Sequence, residues 1–193
     1  QFALTGNSTI QQGSIVAYYW DTSGLNATGL KDRTISFGSH GSKLLRYIVK
    51  SDKACFDTMY QTLTVHPMPK AKFNINDSVQ CAQNNTFIFT AKSSIAYGTL
   101  KHKWWLAQTF RDSGIVIAKS FNAADTPIIQ LVTVSDKLCT DTLERLVFVQ
   151  PSPKSYFTVN QLGQCLKINQ FDALNRATVP HGFMRFVWRI SDG

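Results

Sequence analysis

Apolar and polar side chains alternate along several short segments of the chain. Leu45 and Tyr47 share one face of such a segment, and Ile129 and Leu131 share one face of another. Alternation with a period of two predicts β-strands that bury one face. Ser, Asn, Asp and Gly separate most of the segments, as turns require. In the middle of the chain the pattern predicts short strands at residues 72–76, 86–91, 99–107, 115–120, 127–134 and 142–149.

The chain also repeats itself at an interval of 84 residues. Landmark residues recur at this spacing: Trp20, Trp104 and Trp188; Cys55 and Cys139; Cys81 and Cys165. Residues 51–58 (SDKACFDT) reappear as residues 135–142 (SDKLCTDT). With one residue inserted in the first copy, Phe2 and Gly13 take the places of Phe87 and Gly98. One interval shared by independent landmarks indicates tandem repeats.

Two proline-rich joints predict the boundaries of the repeats. Pro67-Met68-Pro69 recurs as Pro151-Ser152-Pro153. Proline fixes φ and cannot donate to a sheet ladder, which suits a semi-rigid joint between domains. We therefore expect a first copy at residues 1–67 that lacks its beginning, a complete second copy at 68–151, and a third copy at 152–193 that lacks its end.

The fold class follows from strand length, spacing and composition. Thirteen Phe, six Tyr and four Trp favour a pleated, half-buried surface. Short strands at regular spacing within 84 residues are typical of an immunoglobulin-like β-sandwich, so the chain is predicted to be all-β. Trp20, Trp104 and Trp188 are the expected structural core of the three copies, because each indole buries roughly 200 Å².

The charge of the chain adds little to this interpretation. The formal net charge is +8, but the lysines are spread thinly along the chain instead of forming a cluster. Nucleic acid is therefore not the expected partner, and most of the lysines are expected to be solvated, the remainder contacting an acidic polysaccharide or another anionic surface. No segment approaches the ~18 consecutive apolar residues of a membrane span.

The repeated motifs resemble the polycystic-kidney-disease (PKD) type of immunoglobulin-like repeat. In that family a strand ending in Trp leads into an Asp-Phe-Gly-Asp-Gly turn, and residues 188–193 (WRISDG) are a partial copy of it. Gln80-Cys81 and Gln164-Cys165, with the Cys-x-Asp-Thr and Pro-x-Pro motifs, resemble repeats of large secreted Bacteroidetes proteins, including gliding-motility adhesins exported by type IX secretion. The resemblance implies an extracellular, stalk-like array without catalytic activity.

The four cysteines suggest disulfides in a secreted protein. The leading pair is Cys81 with Cys139 inside the second copy. The rival scheme joins Cys55 to Cys81 and Cys139 to Cys165 across the joints, and reduced, buried thiols are a third alternative. The spacing of Cys and His is too wide to favour zinc.

Catalytic chemistry finds little support in the repeat. None of the four histidines recurs at the 84-residue interval, and Glu144 is the only glutamate. No catalytic residue and no cofactor is therefore predicted. Clustered oxygens at the Asp21 or Asp192 turn could hold calcium, but one or two acids make a poor cage for it.

Two kinds of surface site remain as candidates. Trp105 follows the core Trp104 and is expected to face outwards beside Lys101 and Lys103, where an aromatic face next to a cation suits a sugar or a protein. The alternative is a half-covered surface tryptophan. The Bacteroidetes resemblance also implies O-glycan acceptors in Asp-Ser/Thr motifs at Thr58, Ser78 and Thr142.

These observations lead to one functional prediction. The chain is expected to be a structural or adhesive segment of a large extracellular repeat protein, acting as a stalk, surface adhesin or fibre component. Its expected partners are neighbouring repeats, other copies of the same protein, or cell-surface polysaccharide. The alternative is a carbohydrate-binding accessory module of a secreted polysaccharide-degrading enzyme.

Overall fold

The computed structural model describes residues 1–22, 25–106 and 109–191, and these residues form strands and loops without a helix. The all-β, immunoglobulin-like prediction is confirmed. In chain order the strands are β1 (Phe2–Thr5), β2 (Ile15–Thr22), β3 (Leu25–Thr28), β4 (Asp32–Ile35), β5 (Gly41–Ser51), β6 (Phe56–Val65), β7 (Phe73–Ile75), β8 (Val79–Cys81), β9 (Phe87–Ala91), β10 (Leu100–Leu106), β11 (Thr109–Ser113), β12 (Val116–Lys119), β13 (Ile128–Ser135), β14 (Thr140–Leu146), β15 (Phe148–Gln150), β16 (Phe157–Val159) and β17 (Ala173–Asn175).

The chain divides into two compact units. Unit 1 contains Gln1–Lys70, Ser94–Leu100 and Val134–Asp141, and unit 2 contains Ala71–Ser93, Lys101–Thr133 and Thr142–Gly193. Each unit has its own cluster of buried hydrophobic residues. The repeat boundaries at 67/68 and 151/152 stay a prediction.

The core of unit 2 lies between two sheets, as a β-sandwich requires. One sheet has the strand order β12-β9-β7, and the other has the order β11-β10-β13-β14. Phe73, Phe89 and Ile117 enter the core from the first sheet, and Trp104 and Leu131 enter it from the second. Along β13 buried residues alternate with residues of higher exposure, which is the period of two that the sequence shows.

The last predicted strand, residues 142–149, is two strands in the structure. β14 ends at Leu146 and belongs to the β11-β10-β13-β14 sheet, whereas β15 begins at Phe148 and pairs in parallel with β8. Val147 lies between them and is fully buried, and Val149 is buried as well. The chain therefore changes partner strands while its valines stay in the core.

Unit 1 has the same strand order around a smaller core. Its sheets are β3-β2-β5-β6 and β1-β4, and the buried residues are Leu4, Trp20, Ile35, Leu45 and Tyr47. The register of the smaller sheet also matches that of unit 2, because Phe2 is opposite Ile35 as Phe87 is opposite Lys119.

The third segment forms a short antiparallel pair, β16 with β17. Phe157 is opposite Asn175, which reproduces the pairing of Phe73 with Ala91 at a distance of 84 residues in the sequence. The isolated bridge between Lys154 and Thr178 likewise reproduces the bridge between Lys70 and Ser94.

Candidate functional site

The indole of Trp104 is the centre of the core of unit 2. It is completely buried and packs edge-to-face on Phe73 with ring centroids 5.2 Å apart. Its Nε1–H donates to the carbonyl oxygen of Gly114 at 3.0 Å. The hydrogen bond satisfies the one polar group that this large apolar side chain would otherwise bury unpaired.

Trp20 has the corresponding place in the core of unit 1. It is 7% exposed and stacks on Tyr47 with ring centroids 4.1 Å apart. Its Nε1–H donates to the carbonyl oxygen of Leu30 at 3.1 Å, ten residues further along the chain, as Gly114 lies ten residues after Trp104. The two copies therefore share the burial and the hydrogen bond of the indole, whereas the rings that contact it differ.

Trp188 differs from the core position predicted for it. Its side chain is 50% exposed and lies outside the strands, with one edge-to-face contact to Phe157 at 5.5 Å. The indole of Trp104, by contrast, belongs to a buried cluster that includes Leu131 and Val147. An open apolar cleft of about 760 Å³ adjoins Trp188 instead.

The predicted disulfide between Cys81 and Cys139 is not formed, and all four cysteines are free thiols. Cys81 is opposite Gln150 at the end of β15, whereas Cys139 immediately precedes β14. The intervening residues 140–149 lie almost entirely in strands, which rise about 3.3 Å per residue. A disulfide needs Cα atoms roughly 4.4–6.8 Å apart, so this strand arrangement separates the two thiols.

The Gln-Cys motif has a structural role that involves the glutamine. Gln80 Oε1 accepts a hydrogen bond from the backbone N–H of Thr86 at 3.0 Å, and its Nε2 donates to the carbonyl of Thr86 at 3.1 Å. Gln164 makes the same pair of bonds to the backbone of Gln170, each at 2.6 Å. The glutamine side chain thus closes the loop that follows β8 and its counterpart in the third copy.

Asn85, which the sequence motifs did not single out, completes this loop. Its buried amide donates to the carbonyl of Cys81 at 3.0 Å and to that of Phe121 at 2.7 Å, and its Oδ1 accepts from the N–H of Phe121 at 2.9 Å. Asn169 donates to the carbonyl of Cys165 at 3.4 Å. The recurrence of Asn at positions 85 and 169 was the available signal.

The candidate ligand patch lies on β10. Trp105 is half-buried and Lys101 and Lys103 are exposed, whereas Trp104 and Leu106 are buried. Alternation along the strand therefore places Trp105 and the two lysines on the outer face of the sheet, as the sequence predicts. The register of β10 with β11 shifts between Trp104 and Trp105. Binding by this patch stays a prediction.

Asp21, at the position equivalent to Trp105, forms an ion pair. Its carboxylate accepts a hydrogen bond from the guanidinium of Arg46 on the neighbouring strand. This bond and the charge of Asp21 raise the pKa of Arg46, which therefore stays protonated. A carboxylate that is already paired with Arg is a poor calcium ligand. The other acid considered for calcium, Asp192, lies outside the described residues.

Groups of three or more His, Cys, Asp or Glu able to hold a metal ion are absent from the described residues.

His102 occupies the core side of β10 between the exposed lysines, and burial lowers its pKa. Its Nε2 is buried without a hydrogen-bond partner. Uncharged imidazole is the form that such a position favours.

The candidate glycosylation sites differ in exposure. Thr58 on β6 and Thr142 on β14 are exposed, and their positions correspond at the 84-residue interval. Ser78 is half-buried, and its carbonyl accepts a hydrogen bond from the N–H of Phe148 at 2.8 Å. Modification at the three positions stays a prediction.

Among known proteins, the chain is similar to solved structures. No family model matches the chain, and no curated protein matches it. The solved structures that match include the fibronectin(III)-like modules of Clostridium thermocellum CbhA, at 11% sequence identity over 75% of this chain and 83% of that chain, with a TM-score of 0.40. The strand order and the two cores of this chain, not that weak overlap, define an immunoglobulin-like β-sandwich protein. Within the described residues no helix is long and apolar enough to cross a membrane.

Proposed function

We propose that this chain is a non-catalytic structural or adhesive segment of a large extracellular repeat protein, serving as a stalk, surface adhesin or fibre component. The PKD-like repeat type and the Bacteroidetes surface context belong to this proposal. So does the division into copies at residues 1–67, 68–151 and 152–193.

One observation carries the proposal. Three local structures recur at the repeat interval. The indole N–H donates to the carbonyl ten residues further along the chain, and a glutamine side chain closes a loop. In the turn before Cys55 and Cys139, the backbone N–H of each cysteine donates to the hydroxyl of Ser51 or Ser135, at 3.2 and 3.1 Å. Repetition of a whole scaffold, rather than of one reactive cluster, suits a protein whose task is extension.

Mechanical unfolding of the full chain, held at its two ends, tests this role. Independent copies should give separate force peaks, and unravelling the 84-residue second copy should release roughly 250–300 Å of chain at about 3.3–3.6 Å per residue. Trp104→Ala should weaken the peak of the second copy, and Trp20→Ala should weaken that of the first. A single peak that both variants weaken equally would contradict the proposal.

One observation favours the carbohydrate-binding alternative. Trp105 is half-buried on an outer sheet face that also carries Lys101 and Lys103. Binding of the chain to an array of glycans, with Trp105→Ala beside the exposed-aromatic control Tyr60→Ala, tests it. Loss of a glycan signal with Trp105→Ala alone supports the accessory-module function. Equal signals from all three proteins would remove it.

A further inference from the structure

Two lysines face each other directly on the outer side of the β12-β9-β7 sheet. Phe73 pairs with Ala91 in the antiparallel β7–β9 register, and the N–H of Lys92 donates to the carbonyl of Lys72 at 2.7 Å. Phe73 and Ala91 point into the core, so alternation turns Lys72 and Lys92 outwards, and both are exposed. Like charges directly opposite one another destabilise a sheet. This pair is therefore a feature that stability alone does not favour.

A third cation lies at the same strand. The guanidinium of Arg145 donates to the carbonyl of Phe73 at 3.4 Å and lies 5.8 Å from the centroid of the Phe73 ring. Arg145 approaches the core-facing ring of Phe73, so only Lys72 and Lys92 share the outer face of the sheet. Neither lysine forms an ion pair with an acidic side chain of the described residues. We call these two lysines the β7 basic patch.

The third copy keeps a related arrangement. Arg176 occupies the position of Lys92, and its N–H donates to the carbonyl of Tyr156, which occupies the position of Lys72, at 2.8 Å. The Tyr156 side chain is 64% exposed. The cation of Lys92 thus recurs as Arg176 after 84 residues, and the exposed Tyr156 lies opposite Arg176 in the strand pairing.

We propose that the β7 basic patch and its counterpart at Tyr156 and Arg176 bind an acidic polysaccharide. Unpaired cations gain free energy when they displace counterions from a polyanion. Recurrence in successive copies suits a long polymer better than a single small anion, because linked sites bind one chain with a raised effective concentration. An exposed aromatic face beside a cation suits a sugar ring. This inference rests on the adhesive function proposed above and gives it a ligand class.

The test measures binding of the chain to immobilised polygalacturonate at about 50 mM salt, with neutral dextran as reference. The double variant K72Q/K92Q removes two charges from the patch. The matched control K31Q/K53Q removes two charges from exposed lysines of unit 1 that belong to neither candidate patch. Both double variants should keep the wild-type melting temperature or exceed it, because all four side chains are exposed. K72Q/K92Q should bind at least about tenfold more weakly and with a shallower dependence on salt, whereas the control should change affinity less than about threefold.

Three results would overturn the proposal. Equal losses in the two double variants would mean that net charge, not the patch, holds the polymer. Tighter binding of single-stranded DNA or of anionic lipid vesicles than of polygalacturonate would assign the patch to another class of partner. Absence of binding at low salt would remove the ligand altogether. None of these results alters the force peaks of mechanical unfolding, so failure here and failure of the proposed structural role are distinguishable.

Discussion

Replacing Trp104 with alanine should remove most of the stability of unit 2. The side chain is completely buried, contacts Phe73 and Phe89 at ring-centroid distances of 5.2 and 6.1 Å, and donates to the carbonyl of Gly114. Truncating a buried Trp costs about 3–5 kcal/mol, and an unpaired carbonyl adds about 1 kcal/mol. A domain of this size has a total stability of roughly 5–12 kcal/mol. The variant should therefore unfold at a much lower urea concentration.

Two further tryptophan variants calibrate this effect. Trp188→Ala should cost less than about 1.5 kcal/mol, because half of that side chain is exposed. Trp20→Ala should cost about 3–4 kcal/mol and should act on unit 1, since Trp20 is buried against Tyr47 there. Each variant leaves the other three tryptophans in place.

Urea denaturation followed by circular dichroism gives the free energy of unfolding, and hydrogen exchange resolved by peptide shows which unit has lost protection. We expect Trp104→Ala to expose amides of β9, β10 and β13 while those of β2 and β5 keep their protection. The reasoning fails if Trp104→Ala is no more destabilising than Trp188→Ala, or if the loss of protection spreads equally over both units.

Three further predictions concern the loops and pH. Asn85→Ala should lower the free energy of unfolding in urea by about 2–4 kcal/mol, because it leaves buried backbone groups unpaired. Asn169 is exposed, so Asn169→Ala should lower that free energy by less than about 1 kcal/mol. Equal losses would contradict the role of burial. Gly98→Ala should lower the melting temperature more than Gly182→Ala does. Both glycines have φ near +100°, but only at Gly98 would a Cβ lie 2.5 Å from a carboxylate oxygen, that of Asp136. A larger loss in Gly182→Ala would refute the importance of the contact with Asp136. Burial lowers the pKa of His102 below the ordinary histidine value of about 6.5, so the unfolded chain binds the proton more readily than the folded chain. The melting temperature, measured between pH 7.5 and 5, should therefore fall as the pH drops below about 6.5. An unchanged pH dependence in His102→Tyr would rule out His102 as its source.

The strands that bury one face could be predicted closely from the sequence. The segment predicted at 86–91 is β9 at Phe87–Ala91, and that predicted at 115–120 is β12 at Val116–Lys119. Alternating apolar residues carry this signal because one side of each strand meets the core. β8 and β11 were missed, since three residues at Val79–Cys81 and the polar stretch at Thr109–Ser113 give no such alternation. Their pairing depends on neighbouring strands instead.

The candidate sites likewise divide into those that local sequence reveals and those that depend on strand pairing. The outward position of Trp105 comes from its parity with the buried Trp104, which local sequence reveals. The Cys81–Cys139 pairing failed because it depends on which end of a strand each thiol adjoins, and the sequence interval carries no such information. The opposed pair Lys72 and Lys92 was hidden for the same reason, since only the β7–β9 register brings them face to face.

An experimentally determined structure of this chain tests the central claim most directly, because that claim is that the copies are separate β-sandwiches built alike. It should show the indoles of Trp20 and Trp104 each buried between two sheets, with each Nε1–H donating to the carbonyl ten residues further on, at Leu30 and Gly114. An exposed indole or a missing Nε1–H bond at either position, or a single core that merges residues 1–65 with residues 86–149, would contradict the account.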